Sequence, residues 1–304
     1  MLRGASLLLL LLSAPTAWAH VGLDVEIAEI GQRLEMSPDD PGLLLRRAEL
    51  YRLQGKPELS LVDLDHAQAV VPGHRSLLLE RGLALAAQHE HARAERDLDA
   101  FLASGPGTRD AHVARAEIRA ADGRADDAVA DYTTAIALRP QEPDLHLARA
   151  RLLEGAGRWD EAEAAYRQAM GELAGAVVIR RAYVELLVKR QKHAEAVALI
   201  DAILPRVPVK ADWYLRRAEI LEAAGQPRAA HRDRMTALRE LNALLARRPD
   251  ALRRVSRARA YLALGRREEA RADLEAALKS SPRLEPARKL LGSLGGTNPK
   301  GTPG

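Results

Sequence analysis

The sequence predicts an all-α chain, an alpha-alpha superhelix in which helical hairpins stack as a solenoid, on three observations. Prolines recur every thirty-four residues, at Pro38, Pro72, Pro106 and Pro140, and after a gap at Ala174 again at Pro208. Within one interval, Gly123 precedes a run in which Ala128, Tyr132 and Ala135 fall at i, i+4 and i+7, one face of a helix, while residues 111–121 read as a second helix upstream. Aromatic residues make up only 3% of the chain, with Phe101 the one phenylalanine, so the core is built from leucine, alanine and a few tyrosines. At 304 residues the chain needs no partition into globular domains, because each added repeat brings its own core.

The elements follow in order. Residues 1–19 carry one charge, Arg3, then the apolar run Leu7 to Leu12 and the small-x-small sequence Ala17-Trp18-Ala19, the pattern of a signal peptide cut before His20. The run is too short to span a bilayer, so no transmembrane anchor is expected and the mature chain is expected to be periplasmic or secreted. Residues 20–38 form a lone half-repeat helix, with Leu23, Ile27, Ile30 and Leu34 on one face. The array proper runs over residues 39–283, as seven repeats beginning near Pro41, Arg75, Arg109, Pro143, Val177, Ala211 and Ala251. Asp40 before Pro41 suits an N-cap followed by proline in the first helical turn. At the turn inside each repeat stand Gly55, His89, Gly123, Gly157, Gln191, Gly225 and Gly265; glycine suits a left-handed helix end, and the histidine and glutamine mark less ideal turns. The second helix of repeat six, residues 227–247, is longer by about 1.7 turns, which predicts a bend or a projecting ridge. Residues 284–304 read as a capping helix and a disordered tail.

This set of positions resembles the tetratricopeptide repeat. Counting Arg109 as position 1, the small residues at positions 8, 20 and 27 are Ala116, Ala128 and Ala135, the aromatic at 24 is Tyr132 and the proline at 32 is Pro140. Repeat four matches as well, with Ala150, Gly157, Trp159, Ala162, Tyr166 and Ala169. The resemblance implies a non-catalytic protein- or peptide-binding scaffold whose first helices line a concave groove through positions 2, 5, 9 and 12. Position 5 supplies Leu45, Leu79, Val113, Leu147, Arg181, Leu215 and Val255, and position 9 supplies Glu49, Leu83, Glu117, Arg151, Glu185, Glu219 and Arg259. With Asp110, Asp144 and Asp212 at position 2 and Glu154 and Glu222 at position 12, acids outnumber the bases Arg52, Arg151, Arg181 and Arg259. An apolar stripe beside excess acid predicts a basic amphipathic partner segment. The family's carboxylate clamp for chaperone tails needs asparagine and lysine at positions where this chain has neither.

A second charge pattern replaces the family's leucine at position 7 by Arg47, Arg81, Arg115, Arg149, Arg217 and Arg257, with Tyr183 the exception. Position 23 carries Asp63, Asp97, Asp131, Asp233 and Asp273, with Ala165 and Leu199 the exceptions. Packed helices stand about 8 to 10 Å apart, close enough for arginine to reach aspartate. A structural ion-pair ladder is favoured over a row of ligand-binding arginines. Pairing within repeats strands Arg149, pairing between repeats strands Arg217, and the sequence leaves the choice open.

Other chemistry is thinly represented. Cysteine is absent, which excludes disulfides and thiolate metal sites. The net charge of +4 comes from dispersed arginines, so nucleic acid is not an expected partner. There is no phosphate-cradling glycine loop and no nucleophile elbow, so neither an enzyme nor a cofactor is expected. His112 and His146, both at position 4, suit packed polar aromatics. His89 and His91 flank Glu90 in a turn, where a metallopeptidase pair would need helical i, i+4 spacing. His20, exposed as a free N-terminus, would be the one candidate copper ligand. The predicted function is an adaptor or scaffold of the bacterial cell envelope; the alternatives are a metal-handling protein built on His20 and a spacer with no groove ligand.

Overall fold

The computed structural model describes the backbone of residues 14–295 and the side chains of residues 22–294. The predicted signal peptide, the His20 side chain and the tail beyond residue 295 lie outside the described residues, apart from the backbone of residues 14–20. The fold is all-α, of the alpha-alpha superhelix class, and no strand occurs among the described residues. No helix among them is long and apolar enough to cross a membrane.

Two compact units divide at Ile179 and Arg180. The first holds α1 (Ala14–Met36), α2 (Pro41–Leu53), α3 (Pro57–Val70), α4 (Arg75–Ala87), α5 (His91–Ala103), α6 (Arg109–Ala121), α7 (Ala125–Leu138), α8 (Pro143–Gly155) and α9 (Trp159–Glu172). The division falls inside α10 (Val177–Lys189). The second unit continues through α11 (His193–Ile203), a 3-10 turn at Leu204–Arg206, α12 (Ala211–Ala223), α13 (Pro227–Arg247), α14 (Ala251–Ala263), α15 (Arg267–Ser280) and α16 (Glu285–Gly295). In the first unit each helix from α1 to α9 packs on the next, while α2 also lies against α4 and α4 against α6. In the second, α12 to α16 pack in series and α12 also touches α14.

The helices close up because small residues stand where they cross. Ala48, Ala116, Ala150 and Ala258 are fully buried at position 8, and Ala128, Ala162, Ala230 and Ala270 at position 20. Repeat two has Gly82 at position 8. A Cβ there would stand 2.8 Å from Leu98 Cγ, so this pair of helices approaches closer than alanine permits. Asp40 caps α2 by accepting from the backbone N–H groups of Gly42 and Leu43 at 2.9 and 3.1 Å, and Thr108 and Asp250 cap α6 and α14 in the same way.

His89 and Gln191 adopt the left-handed conformation, with φ of 60° and 58°, as the glycines at the equivalent turns do. Tertiary register therefore imposes the turn even where a side chain makes it costly. The long α13 has 21 residues, against 14 in α3, α7, α9 and α15. Its extension is not a projecting ridge: Leu238, Leu241 and Leu245 are buried, the first two in a cluster with Leu215 and Ala260, and Glu240 accepts from the Lys210 N–H at 2.9 Å just before α12. Packing captures the extra turns because their apolar spacing continues the face already turned to α12 and α14.

Candidate functional site

The arginines at position 7 pair within their own repeats. Arg47 donates two hydrogen bonds to Asp63 at 2.7 and 2.6 Å, Arg81 to Asp97 at 2.7 and 2.9 Å, and Arg115 to Asp131 at 2.9 and 2.6 Å. Arg217 holds Asp233 at 2.7 and 2.8 Å, and Arg257 holds Asp273 with two bonds of 2.6 Å. In every case the planar guanidinium fork joins the first helix of a repeat to its second. Asp63, Asp131, Asp233 and Asp273 are buried, so these are closures of the hairpin and not a surface offered to a ligand.

Repeat three carries the densest cluster. Asp131 also receives Arg119 at 2.9 Å and sits 3.0 Å from His112 Nδ1. Burial alone would push its carboxyl up, but the bonds from Arg115 and His112, with the Arg119 charge, more than reverse this and hold it below the ordinary aspartate value. Arg119 and Arg124 both hold Glu95, and the bond from Arg124 is the largest influence bringing that carboxyl down to about 2.

Repeat four breaks the ladder. Arg149 is buried, and position 23 offers Ala165, not aspartate. Its guanidinium donates to the exposed Gln168 at 2.9 Å and to Thr133 at 3.4 Å, while Nε has no partner. Desolvation lowers its basicity. Repeat five has lost both members, with Tyr183 and Leu199 at the two positions, so pairing within repeats leaves Arg149 as the stranded case.

The groove residues behave differently from their sequence pattern. In the first unit Leu45, Leu79, Leu83 and Val113 are half-buried, but Leu147 is buried, as are Leu215 and Val255 in the second unit. Helical spacing tells which side a residue faces and not how deep it lies. Leu215 is taken up by the extension of α13, and Val255 by α15 and α16. The open apolar stripe is thus shorter than predicted.

The acid excess is also largely cancelled. Glu49 accepts from Arg46 at 2.7 Å and Asp110 from Arg109 at 2.8 Å. Glu185 takes Arg216 at 2.9 and 2.5 Å, Glu219 takes Arg216 at 2.8 Å and Arg259 at 3.0 Å, and Glu222 takes Arg234 at 2.9 Å. Glu154 accepts from the Tyr166 hydroxyl at 2.5 Å, near the exposed Arg151, and Asp212 accepts from Ser256 at 2.8 Å. The neutralising Arg46 and Arg216 stand at position 6, three residues before Glu49 and Glu219. That i, i+3 spacing was the available signal.

Among the groove acids, Glu117 and Asp144 have no partner among the described residues, and only Glu117 lies in a cleft. The cleft measures about 720 Å³ and is formed where α2, α4 and α6 run side by side. Leu83, Ala86, Val113, Ala114 and Ile118 give it an apolar wall, with His89 and His91 at one edge. Its two arginines are already engaged, Arg52 by Glu80 at 2.8 Å and Arg109 by Glu142 and Asp110. The Glu117 carboxylate is open to solvent yet recessed enough that desolvation raises its pKa, with Arg109 acting weakly the other way. The same carboxylate helps burial push the Tyr132 hydroxyl up to about 12.

No group of three or more metal-ligating side chains occurs among the described residues. His146 is a packed polar aromatic, its Nε2 2.9 Å from the Pro140 carbonyl oxygen.

Comparison with known proteins places this geometry. Models described as tetratricopeptide repeat match residues 79–143, 119–170, 154–218 and 254–284, together more than half of the chain. The C-terminal part of a repeat-containing protein from Cytophaga hutchinsonii superposes with a TM-score of 0.57 at 12% identity, covering 81% of this chain and 98% of that one. Yeast Tom70 gives 0.55 at 15% identity, over 91% of this chain and 59% of its own. A tetratricopeptide repeat protein from Parabacteroides merdae gives 0.49 at 18% identity, over 84% and 98%. No curated protein sequence matches. The thirty-four-residue register, the alanine crossings, the left-handed turns and the family matches lead to one conclusion: the chain belongs to the tetratricopeptide repeat family.

Proposed function

We propose that the protein is a peptide-binding scaffold of the bacterial cell envelope, and that the cleft between α2, α4 and α6 takes a basic amphipathic segment of a partner protein. The unpaired Glu117 carboxylate in an apolar cleft carries this reading. Apolar side chains of the segment cover Leu83, Val113 and Ile118, and a lysine or arginine meets the cleft carboxylate that no internal arginine bonds. Desolvation without a partner is unfavourable for that carboxylate, so an incoming cation relieves a cost the free protein bears.

The test follows from that cost. A group whose folded pKa is raised favours the folded state most when protonated, and that contribution is lost as pH rises through the folded value. Glu117→Gln is therefore expected to melt no lower than the parent at pH 7, while binding a basic amphipathic peptide roughly tenfold or more weakly in fluorescence polarisation. Equal affinity of variant and parent would remove the cleft from the recognition surface.

The envelope location is proposed on the pattern of residues 1–19. Mass spectrometry of the protein recovered from its native host is expected to give His20 as the first residue, in the soluble extracytoplasmic fraction; an intact Met1 in the cytoplasm would overturn it.

A further inference from the structure

We propose that the second unit holds a binding subsite of opposite sign, a cleft between α10, α12 and α14 that takes an acidic side chain of a bound peptide. This rests on the reading of the protein as a peptide-binding scaffold, but on different residues. The cleft encloses about 260 Å³ and is lined by Arg181, Glu185, Asp212, Trp213, Arg216, Ser256 and Arg259.

Three arginines stand with three carboxylates, but the ion pairs are unevenly shared. Arg216 bridges Glu185 and Glu219, Arg259 shares Glu219, and Asp212 accepts from Ser256. Each of these carboxylates is therefore already engaged. Arg181 is left over: it is exposed, and no carboxylate among the described residues meets it. Its guanidinium lies over the ring of the buried Trp213, 5.7 Å from the centroid. This cation–π approach attracts the charge without supplying an acceptor to its N–H groups, so they remain able to receive a carboxylate with two parallel bonds. The neighbouring Arg259 shares its carboxylate, Glu219, with Arg216. The first unit's cleft presents the reverse, a free carboxylate between engaged arginines.

Trp213 supplies the readout. With Trp18→Phe and Trp159→Phe it becomes the one tryptophan of the full-length chain, since the sequence has three. A terminally blocked amphipathic peptide with a central glutamate is titrated against this protein beside its glutamine counterpart; blocked ends ensure that only the side-chain carboxylate is read. The glutamate peptide is expected to change Trp213 emission and to bind about tenfold more tightly than the glutamine peptide. Arg181→Gln is expected to erase that preference, Arg181→Lys to keep part of it, and Glu117→Gln to leave it unchanged. Equal affinity for the two peptides, or a preference that survives Arg181→Gln, would overturn the subsite. The two readings fail separately: a basic peptide sensitive to Glu117→Gln with no glutamate preference leaves the first cleft alone standing. A glutamate preference that depends on Arg181, with a basic peptide indifferent to Glu117, leaves only the second.

Discussion

Asp131→Ala is expected to be among the most destabilising single changes in the first unit, at about 3–5 kcal/mol, because it removes the shared partner of a buried cluster. Asp131 is 3% exposed and receives Arg115 twice, Arg119 once and His112. Its loss takes the buried partner from two guanidinium groups whose side chains are each 16% exposed, leaving Arg115 with only the exposed Asp99 and Arg119 with Glu95 and Asp99 at the rim. Asp99 makes the control. It also binds Arg115, at 2.6 Å, but is 49% exposed, so Asp99→Ala is expected to cost no more than about 1 kcal/mol. Urea denaturation followed by circular dichroism separates the two, and equal midpoints would contradict the account. The sign of the pH dependence is fixed as well. Because the folded state depresses the Asp131 pKa, its stabilisation is fully present above the unfolded value of 3.8 and is lost as pH falls through the folded one. The gap between parent and variant therefore narrows on acidification.

The same position-7 substitution is expected to have opposite signs in neighbouring repeats. Arg149→Met is expected to stabilise the protein by about 1 to 4 kcal/mol, since an apolar side chain of similar length replaces a buried cation that no carboxylate bonds and that only the more distant Glu172 charge favours. Nothing is stranded by the exchange: Gln168 and Thr133, which accept from Arg149, are both exposed and can turn to water. Arg115→Met removes the bidentate partner of buried Asp131 and is expected to cost about 3–5 kcal/mol. Ala165→Asp approaches the gap from the other side, at the sixteen-residue offset that every intact pair uses, and is also expected to stabilise. Melting temperatures of the three variants decide the matter. A destabilising Arg149→Met would show that its bonds to Gln168 and Thr133 outweigh the missing carboxylate.

How much of this was legible in the sequence depended on what repeats. Helix order, hairpin turns and the array boundary follow from a period expressed in prolines, glycines and alanines, so one irregular copy does little harm. His89 and Gln191 show the limit: the pattern located their turns, but that they take the glycine conformation is decided by the helices on either side. The candidate site was less legible because it depends on differences between repeats. Counting acids along one row of the groove missed Arg46, Arg109 and Arg216, which stand in other rows and reach across. Depth was invisible too. Leu79 and Leu215 share position 5, yet one is half-buried and the other is covered by the long α13, a helix whose extra turns the sequence showed and whose packing it did not.

The location of each bidentate pair inside a single hairpin bears on how such an array can change its length. A thirty-four-residue segment copied or excised as a block takes both halves of its lock with it, so neither a donor nor an acceptor is orphaned in the copies that remain. Contacts that cross from one repeat to the next are of two kinds. Arg115 with Asp99 and Arg217 with Asp201 involve carboxylates 49% and 53% exposed, where water can take the place of a missing partner. Arg52 with Glu80, and Arg119 and Arg124 with Glu95, use carboxylates only 14% and 17% exposed. The lock itself is thus inherited whole, and a segment that lacks its aspartate, as repeat four does, leaves its neighbours' locks undisturbed.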